Sequence, residues 1–286
     1  MKNIYDISNL DRVKEIENDR NLEYSSKIIG LSIVILNLDK PNFIIPLLEC
    51  LDRQNAIFND KHISFEVIIG DTGSSNTQVL EYYDKLKENF IVVRNLKYHF
   101  SKNNNYLAYN YAKYDTILFL NNDTLLEKSD SLFNIYNSLN IDKKLGIAGP
   151  VLLFENKRIQ HAGIDFYYDE RMDGFFPYHK NGNEKIESIK HYKELTPFAA
   201  VTGAFLMIKW SLFEKVQGFD EFYNKEGQDI DLCMKIKRLG YKIILTNFGT
   251  IYHFENGTRV KGEEDSSDRK RLVRKWNNFI KYGLTI

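Results

Sequence analysis

Two hydrophobic periods alternate along the chain. Residues 31–36 are a short, almost unbroken apolar run, the mark of a strand buried on both faces, and behind it Ile44, Ile45, Leu47, Leu48 and Leu51 recur at helical spacing, with Pro46 in the early part of that helix. The pattern then repeats. Residues 65–69 predict a second strand, Asp71, Thr72, Gly73, Ser74 and Ser75 form a turn, Val79, Leu80, Tyr83, Leu86 and Phe90 mark a helix, and residues 91–93 give a third strand. A helix over 105–113 leads into strand 116–120, and further helices are predicted over 131–139, 211–216 and 229–239. Strand-like runs occupy 146–153, 201–208, 241–245 and 250–253.

Strands alternating with helices predict an α/β fold, a mixed and mainly parallel sheet flanked by helices, with its connecting loops gathered where ligands usually bind. About forty residues after position 153 break the pattern. They are rich in aromatic residues, Gly and charge and read as mobile loops. The ends differ from the middle. Leu10, Val13 and Ile16 predict a helical extension over 1–26; the main domain spans 27–260; and 261–286 reads as a basic amphipathic helix carrying Arg269, Lys270, Arg271, Arg274, Lys275 and Lys281 beside Leu272, Val273, Trp276, Phe279 and Ile280. That helix either docks its apolar face on the domain or makes peripheral contact with an anionic membrane.

Composition narrows the class. The chain's 286 residues suffice for a substantial core, and 39 basic residues balance 39 acidic ones, so the charge excess of a protein that binds long nucleic acid is absent, though nucleotides stay open as ligands. Cys50 and Cys233 lie far apart within helical patterns, which argues against a disulfide framework and for a reducing compartment. The polar opening residues predict no secretory signal, and no apolar stretch approaches the roughly 20 residues needed to cross a bilayer. The expected location is therefore cytoplasmic, extending to the inner face of the membrane if the C-terminal helix binds lipid.

Two acidic sites carry the chemistry. Asn121, Asn122 and Asp123 follow the apolar run 116–120, where a buried strand emerges, and Asp229 and Asp231 open the helix that begins after Gly227. Oxygen ligands of this kind suit a hard divalent cation. The stretches 31–36, 67–74, 118–124, 201–204, 218–220 and 227–233 resemble, in order, the motifs of family 2 glycosyltransferases, and residues 159–163 resemble the rhamnosyltransferase-like branch. The resemblance covers roughly residues 28–259. It implies a GT-A (Rossmann-like) fold and an inverting transfer from a nucleotide-sugar donor.

By that resemblance Asp71 reads a pyrimidine base, the alternative being an Asx turn that stabilises its own loop. Asn104 and Asn122 fall in donor-binding segments, although Lys102 and Asn103 stand where the family usually has glycines. Asp123 corresponds to the last residue of the family's Asp-X-Asp motif and, with His253, would hold Mn or Mg; the first Asp of that motif is Asn121 here. Asp229 corresponds to the general base, with a helix cap or dipole partner as the alternative, and Gln228 and Asp231 support it. The aromatic residues between 166 and 198 suit an acceptor glycan or lipid-linked saccharide, or else fill a small core. The resulting expectation is a metal-dependent hexosyltransferase using a UDP- or dTDP-sugar in surface polysaccharide synthesis. A catalytically weakened nucleotide-sugar or glycan-binding protein of the same fold is the alternative. A dinucleotide oxidoreductase is disfavoured because the turn at 36–41 lacks the Gly-rich fingerprint.

Overall fold

The computed structural model describes residues 4–6, 27–171, 173–254 and 266–283. The expected helical extension over 1–26 lies almost wholly outside them, apart from a short strand β1 (Ile4–Asp6). Strands β2 (Ile28–Asn37), β3 (Ser64–Asp71), β4 (Phe90–Arg94) and β5 (Tyr114–Asn121) pair in parallel, with β2 between β3 and β5. The sheet continues through β13 (Phe205–Lys209), β7 (Leu145–Pro150), β14 (Lys242–Thr246) and β12 (Leu195–Phe198). β13 runs antiparallel to both β5 and β7, β12 runs antiparallel to β14, and β7 pairs with β14 in parallel, so the sheet is mixed and mainly parallel.

The continuous apolar runs follow from burial on both faces. Val34, Ile68, Ile117 and Phe119 belong to one core, whereas Ile33, Ile35, Val67, Ile69, Leu118 and Leu120 belong to the core on the opposite face. The helices covering these faces include α1 (Pro41–Asp60), α2 (Thr77–Tyr83), α3 (Phe100–Tyr111), α4 (Ser131–Ser138), α5 (Trp210–Lys215) and α6 (Gln228–Arg238). Pro41, not Pro46, stands in the first turn of α1, where its missing N–H costs nothing. The register sets Asn37 beside Asp71 and Leu36 beside Asn121, so three strands deliver polar residues to one edge of the sheet.

Three expectations need correction. Helix α3 begins at Phe100, before the predicted start, because His99 caps it by accepting the Lys102 N–H. The predicted strand 146–153 divides, β8 (Leu152–Leu153) joining β6 (Thr124–Leu126), β9 (Ile159–His161) and β15 (Ile251–His253) in a second sheet. The aromatic stretch expected as loops contains an antiparallel hairpin, β10 (Ile164–Asp169) and β11 (Gly174–His179), paired along its length.

Helix α7 (Ser266–Gly283) docks on the domain. Leu272, Trp276 and Ile280 enter the core, and Phe279 packs against it. This is the docking alternative: the stripe that would enter lipid is buried in protein. Lys270 and Arg274 face outward. Among the described residues, no helix is long and apolar enough to cross a membrane.

Candidate active site

A cleft of about 920 Å³ opens at the edge of the sheet where β5 ends, within the usual size range of small-molecule sites. Asn121 and Asp123 come from the end of β5 and the turn after it, His253 from the end of β15, and Gln228 and Asp229 from the first turn of α6. Thr202, Gly203 and Ala204 form another part of the wall, while Tyr167, Phe176, Tyr178 and His179 bring in the hairpin.

Antiparallel pairing of β6 with β15 places His253 opposite Thr124 and so brings the ring to Asp123. Asp123 Oδ1 and Asn121 Nδ2 lie 3.3 and 3.2 Å from His253 Nε2, and the backbone of Asp123 accepts the Phe254 N–H at 2.9 Å. His253 Nδ1, on the side of the ring away from Asp123, is buried without a protein hydrogen-bond partner. Carboxylate oxygen with imidazole nitrogen suits Mn better than Mg, and an amide oxygen from Asn121 is a further hard donor. No group of three His, Cys, Asp or Glu side chains is placed to hold a metal among the described residues. What Asp123, His253 and the Asn121 amide would offer a cation is a partial shell, with the remaining positions left to a bound ligand and water.

Asp229 is the second residue of α6, half-buried at the cleft. It is not the cap, because Gly227 occupies that position with φ of 89° and no side-chain bond. Asp229 Oδ2 instead accepts the Gly203 N–H at 2.8 Å, and Oδ1 accepts the Ile230 N–H at 2.9 Å. Gly203 permits this approach: a Cβ there would stand 3.2 Å from Asp229 Cβ. One helix-dipole end and two N–H donors thus hold the carboxylate in a fixed orientation. Beside it, Gln228 is 8 % exposed and its Oε1 has no partner. The Oε1 of Gln160, across the same cleft, is also unpartnered.

Other expected site residues are not brought to the cleft. Asp71 is 0 % exposed; its Oδ1 accepts the Gly73 and Ser74 N–H groups at 3.1 and 2.8 Å and its Oδ2 accepts the Tyr83 hydroxyl at 3.2 Å. The bonds to Oδ1 are those of an Asx turn. Burial, with the Asp71 charge next, raises the Tyr83 hydroxyl well above its ordinary range and keeps it a neutral donor. Asn122 donates to Asn37 Oδ1 at 2.8 Å, and Asn37 donates to Tyr83 Oη at 2.8 Å, so these residues tie strand ends together. Asn104 donates to the Phe100 carbonyl of its own helix at 3.0 Å. Asn105 clamps the 218–220 segment by donating to the Phe219 carbonyl and accepting the Phe219 N–H, both at 2.9 Å. Asp231, itself fully buried, is turned away from the cleft toward Trp276, Lys275 and Lys235. Asp231, expected to support Asp229, does not line the cleft.

Sequence reasoning missed Gly203 as the partner of Asp229, although 201–204 stood out as a motif. It also missed Asp268, which is buried in the cleft wall more than forty residues from the N–H groups it binds.

Residues 71–276 match the sequence profile described as "Glycosyltransferase like family". Among curated proteins, the chain is 26 % identical to the uncharacterized protein y4gI of Sinorhizobium fredii (strain NBRC 101917 / NGR234), over 88 % of this chain and 27 % of that one. It is 25 % identical to the O-antigen biosynthesis protein RfbC of Myxococcus xanthus, over 80 % and 18 %, and 26 % identical to the rhamnosyltransferase WbbL of Escherichia coli (strain K12), over 74 % and 78 %. The chain thus spans only about a quarter and a fifth of the first two relatives. Two solved structures share the fold. GalNAc-T7 with UDP, GalNAc and Mn2+ superposes with a TM-score of 0.64 at 12 % identity, covering 87 % of this chain and 48 % of that one. The mannosyltransferase PcManGT of Pyrobaculum calidifontis with GDP-Man and Mn2+ gives 0.54 at 13 %, covering 84 % and 62 %. With a family profile spanning most of its length and this shared architecture, the chain belongs to the family 2 glycosyltransferases and carries their GT-A fold.

Proposed function

We propose that the cleft binds a nucleoside-diphosphate sugar, a UDP- or dTDP-sugar, and transfers its sugar with inversion to a hydroxyl of a glycan or lipid-linked acceptor in surface polysaccharide synthesis. The observation that carries this reading is the convergence of Asp123, His253 and an oriented Asp229 on one cleft. The O-antigen and rhamnosyltransferase names of two relatives, and the nucleotides and Mn2+ bound by the structural neighbours, support it.

Asp123 and His253, with the Asn121 amide, would hold Mn or Mg. Such an ion supplies charge neutralisation to a departing diphosphate. Asp229 takes the proton of the attacking acceptor hydroxyl, and the Gly203 N–H keeps its carboxylate aimed during that transfer. Attack from the face opposite the leaving nucleotide inverts the anomeric centre. Gln228 offers its unpartnered Oε1 to a sugar hydroxyl. Tyr167, Phe176 and Tyr178 line the cleft from the hairpin, and their ring faces suit the C–H faces of an acceptor sugar.

Paired variants test this division of roles. Asp229→Asn is expected to abolish transfer while sparing donor binding, and Asp123→Ala to weaken Mn-dependent donor binding by about tenfold or more. Wild-type turnover by Asp229→Asn would show that the base lies elsewhere.

A further inference from the structure

We infer that Asp268, on the C-terminal helix α7, is a positioning residue for Asp229. Its carboxylate is 1 % exposed, and Oδ2 accepts three consecutive backbone N–H groups, from Asn224, Lys225 and Glu226, at 3.0, 2.7 and 3.2 Å. A buried anion held by successive N–H donors is a strong, directional anchor. The next residue, Gly227, turns the chain through a left-handed conformation into α6, whose second residue is Asp229. Asp268 therefore fixes the segment immediately before the proposed base.

The same helix grips the other side. One turn after Asp268, Leu272 lines the cleft, and a Cβ at Gly227 would lie 3.8 Å from its methyl group. One turn further, Trp276 donates from Nε1 to Asp231 Oδ1 at 2.7 Å, and Lys275 reaches the same oxygen at 2.7 Å. Asp268, Leu272 and Trp276 recur every four residues and so share one face of α7. Asp229 lies in sequence between its two anchored flanks, 224–226 and Asp231. α7 also binds the aromatic hairpin, where the Phe175 N–H donates to Asn277 Oδ1 at 3.1 Å. One element thus sets both the base and the ring-lined wall of the cleft.

This role rests on the transferase reading, and the test separates the two. Donor turnover and donor KM are measured for the wild type, Asp268→Ala, Asp268→Asn and Lys270→Ala, the last an exposed position on the same helix. Because a displacement of about 1 Å at a catalytic group costs on the order of a hundredfold, Asp268→Ala is expected to lower kcat by at least about tenfold while donor KM stays within about threefold. Asp268→Asn keeps an oxygen acceptor for the three N–H groups and is expected to recover part of that loss even if the alanine variant folds poorly. Lys270→Ala is expected to match the wild type. Wild-type kcat in Asp268→Ala, or a loss confined to KM, would overturn the positioning role alone. A wild-type protein that turns over no nucleotide sugar would overturn the transferase reading and this role with it.

Discussion

Asp229 and Asp231 stand two residues apart on α6, yet replacing them is expected to damage different properties. Asp231→Ala removes a fully buried carboxylate whose Oδ1 accepts the Trp276 Nε1–H and the Lys275 ammonium, each at 2.7 Å, and whose Oδ2 lies 3.3 Å from Lys235 Nζ. Breaking a buried ion pair from one side costs about 3–5 kcal/mol, because the partner charge is left uncompensated. The lower end applies here, since Lys275 keeps Asp220 at 2.8 Å and Lys235 keeps the Gly218 carbonyl at 3.0 Å. About 3 kcal/mol lowers Tm by about 6–12 °C in a domain of this size class. Asp229→Asn keeps an oxygen for the Gly203 N–H at a half-buried position, so its stability change is expected to stay within about 1 kcal/mol. Its turnover is expected to fall by about 10²–10⁴-fold, the usual contribution of a general base. Thermal and urea unfolding followed by tryptophan fluorescence, with donor turnover measured on the folded fraction, separates the two effects. An Asp231→Ala protein with wild-type Tm but no turnover, beside an active Asp229→Asn, would refute the assignment.

Further consequences follow from particular contacts. Gly218→Ala introduces a Cβ 2.4 Å from Asn105 Oδ1 at a φ of +67°, so it strains the backbone and breaks the Phe219 clamp; a loss of at least about 2 kcal/mol is expected in urea unfolding, and an unchanged midpoint would contradict it. His161 is fully buried, and burial first, then the nearby His179 and His253, hold its imidazole well below the ordinary 6.5. The unfolded chain takes up that proton first, so stability present above 6.5 is lost progressively as pH falls below that value toward the depressed folded one. Urea midpoints taken between about pH 7.5 and 5.5 are expected to drop less steeply in His161→Gln than in the wild type, and parallel curves would exclude the linkage.

The legible parts of this fold were those whose cause is local. β2, β3 and β5 could be read directly because strands covered on both faces need no polar alternation. The hairpin β10 and β11 was obscured because it is covered unevenly: Phe166 and Phe175 pack on the core while Tyr167 and Tyr168 are exposed. Side-chain roles set by distant partners left little local signal. Asn105 reads as a polar helix residue until Phe219 arrives from 114 positions away, and Asp268 reads as a helix-start acid until the 224–226 backbone meets it. Asp123 and His253 meet only through the pairing of β6 with β15, so their association rested on family resemblance. The turn bonds to Asp71 Oδ1 are local and legible in the sequence, whereas the Tyr83 hydroxyl that meets Oδ2 comes from the following helix.

The most direct test of the account is donor hydrolysis by the purified protein across UDP-, dTDP-, GDP- and CMP-sugars, each with and without Mn, since slow hydrolysis reports the site without a known acceptor. The account predicts Mn-dependent hydrolysis of a UDP- or dTDP-sugar that is lost in Asp229→Asn. Absence of both binding and hydrolysis across the panel would contradict it.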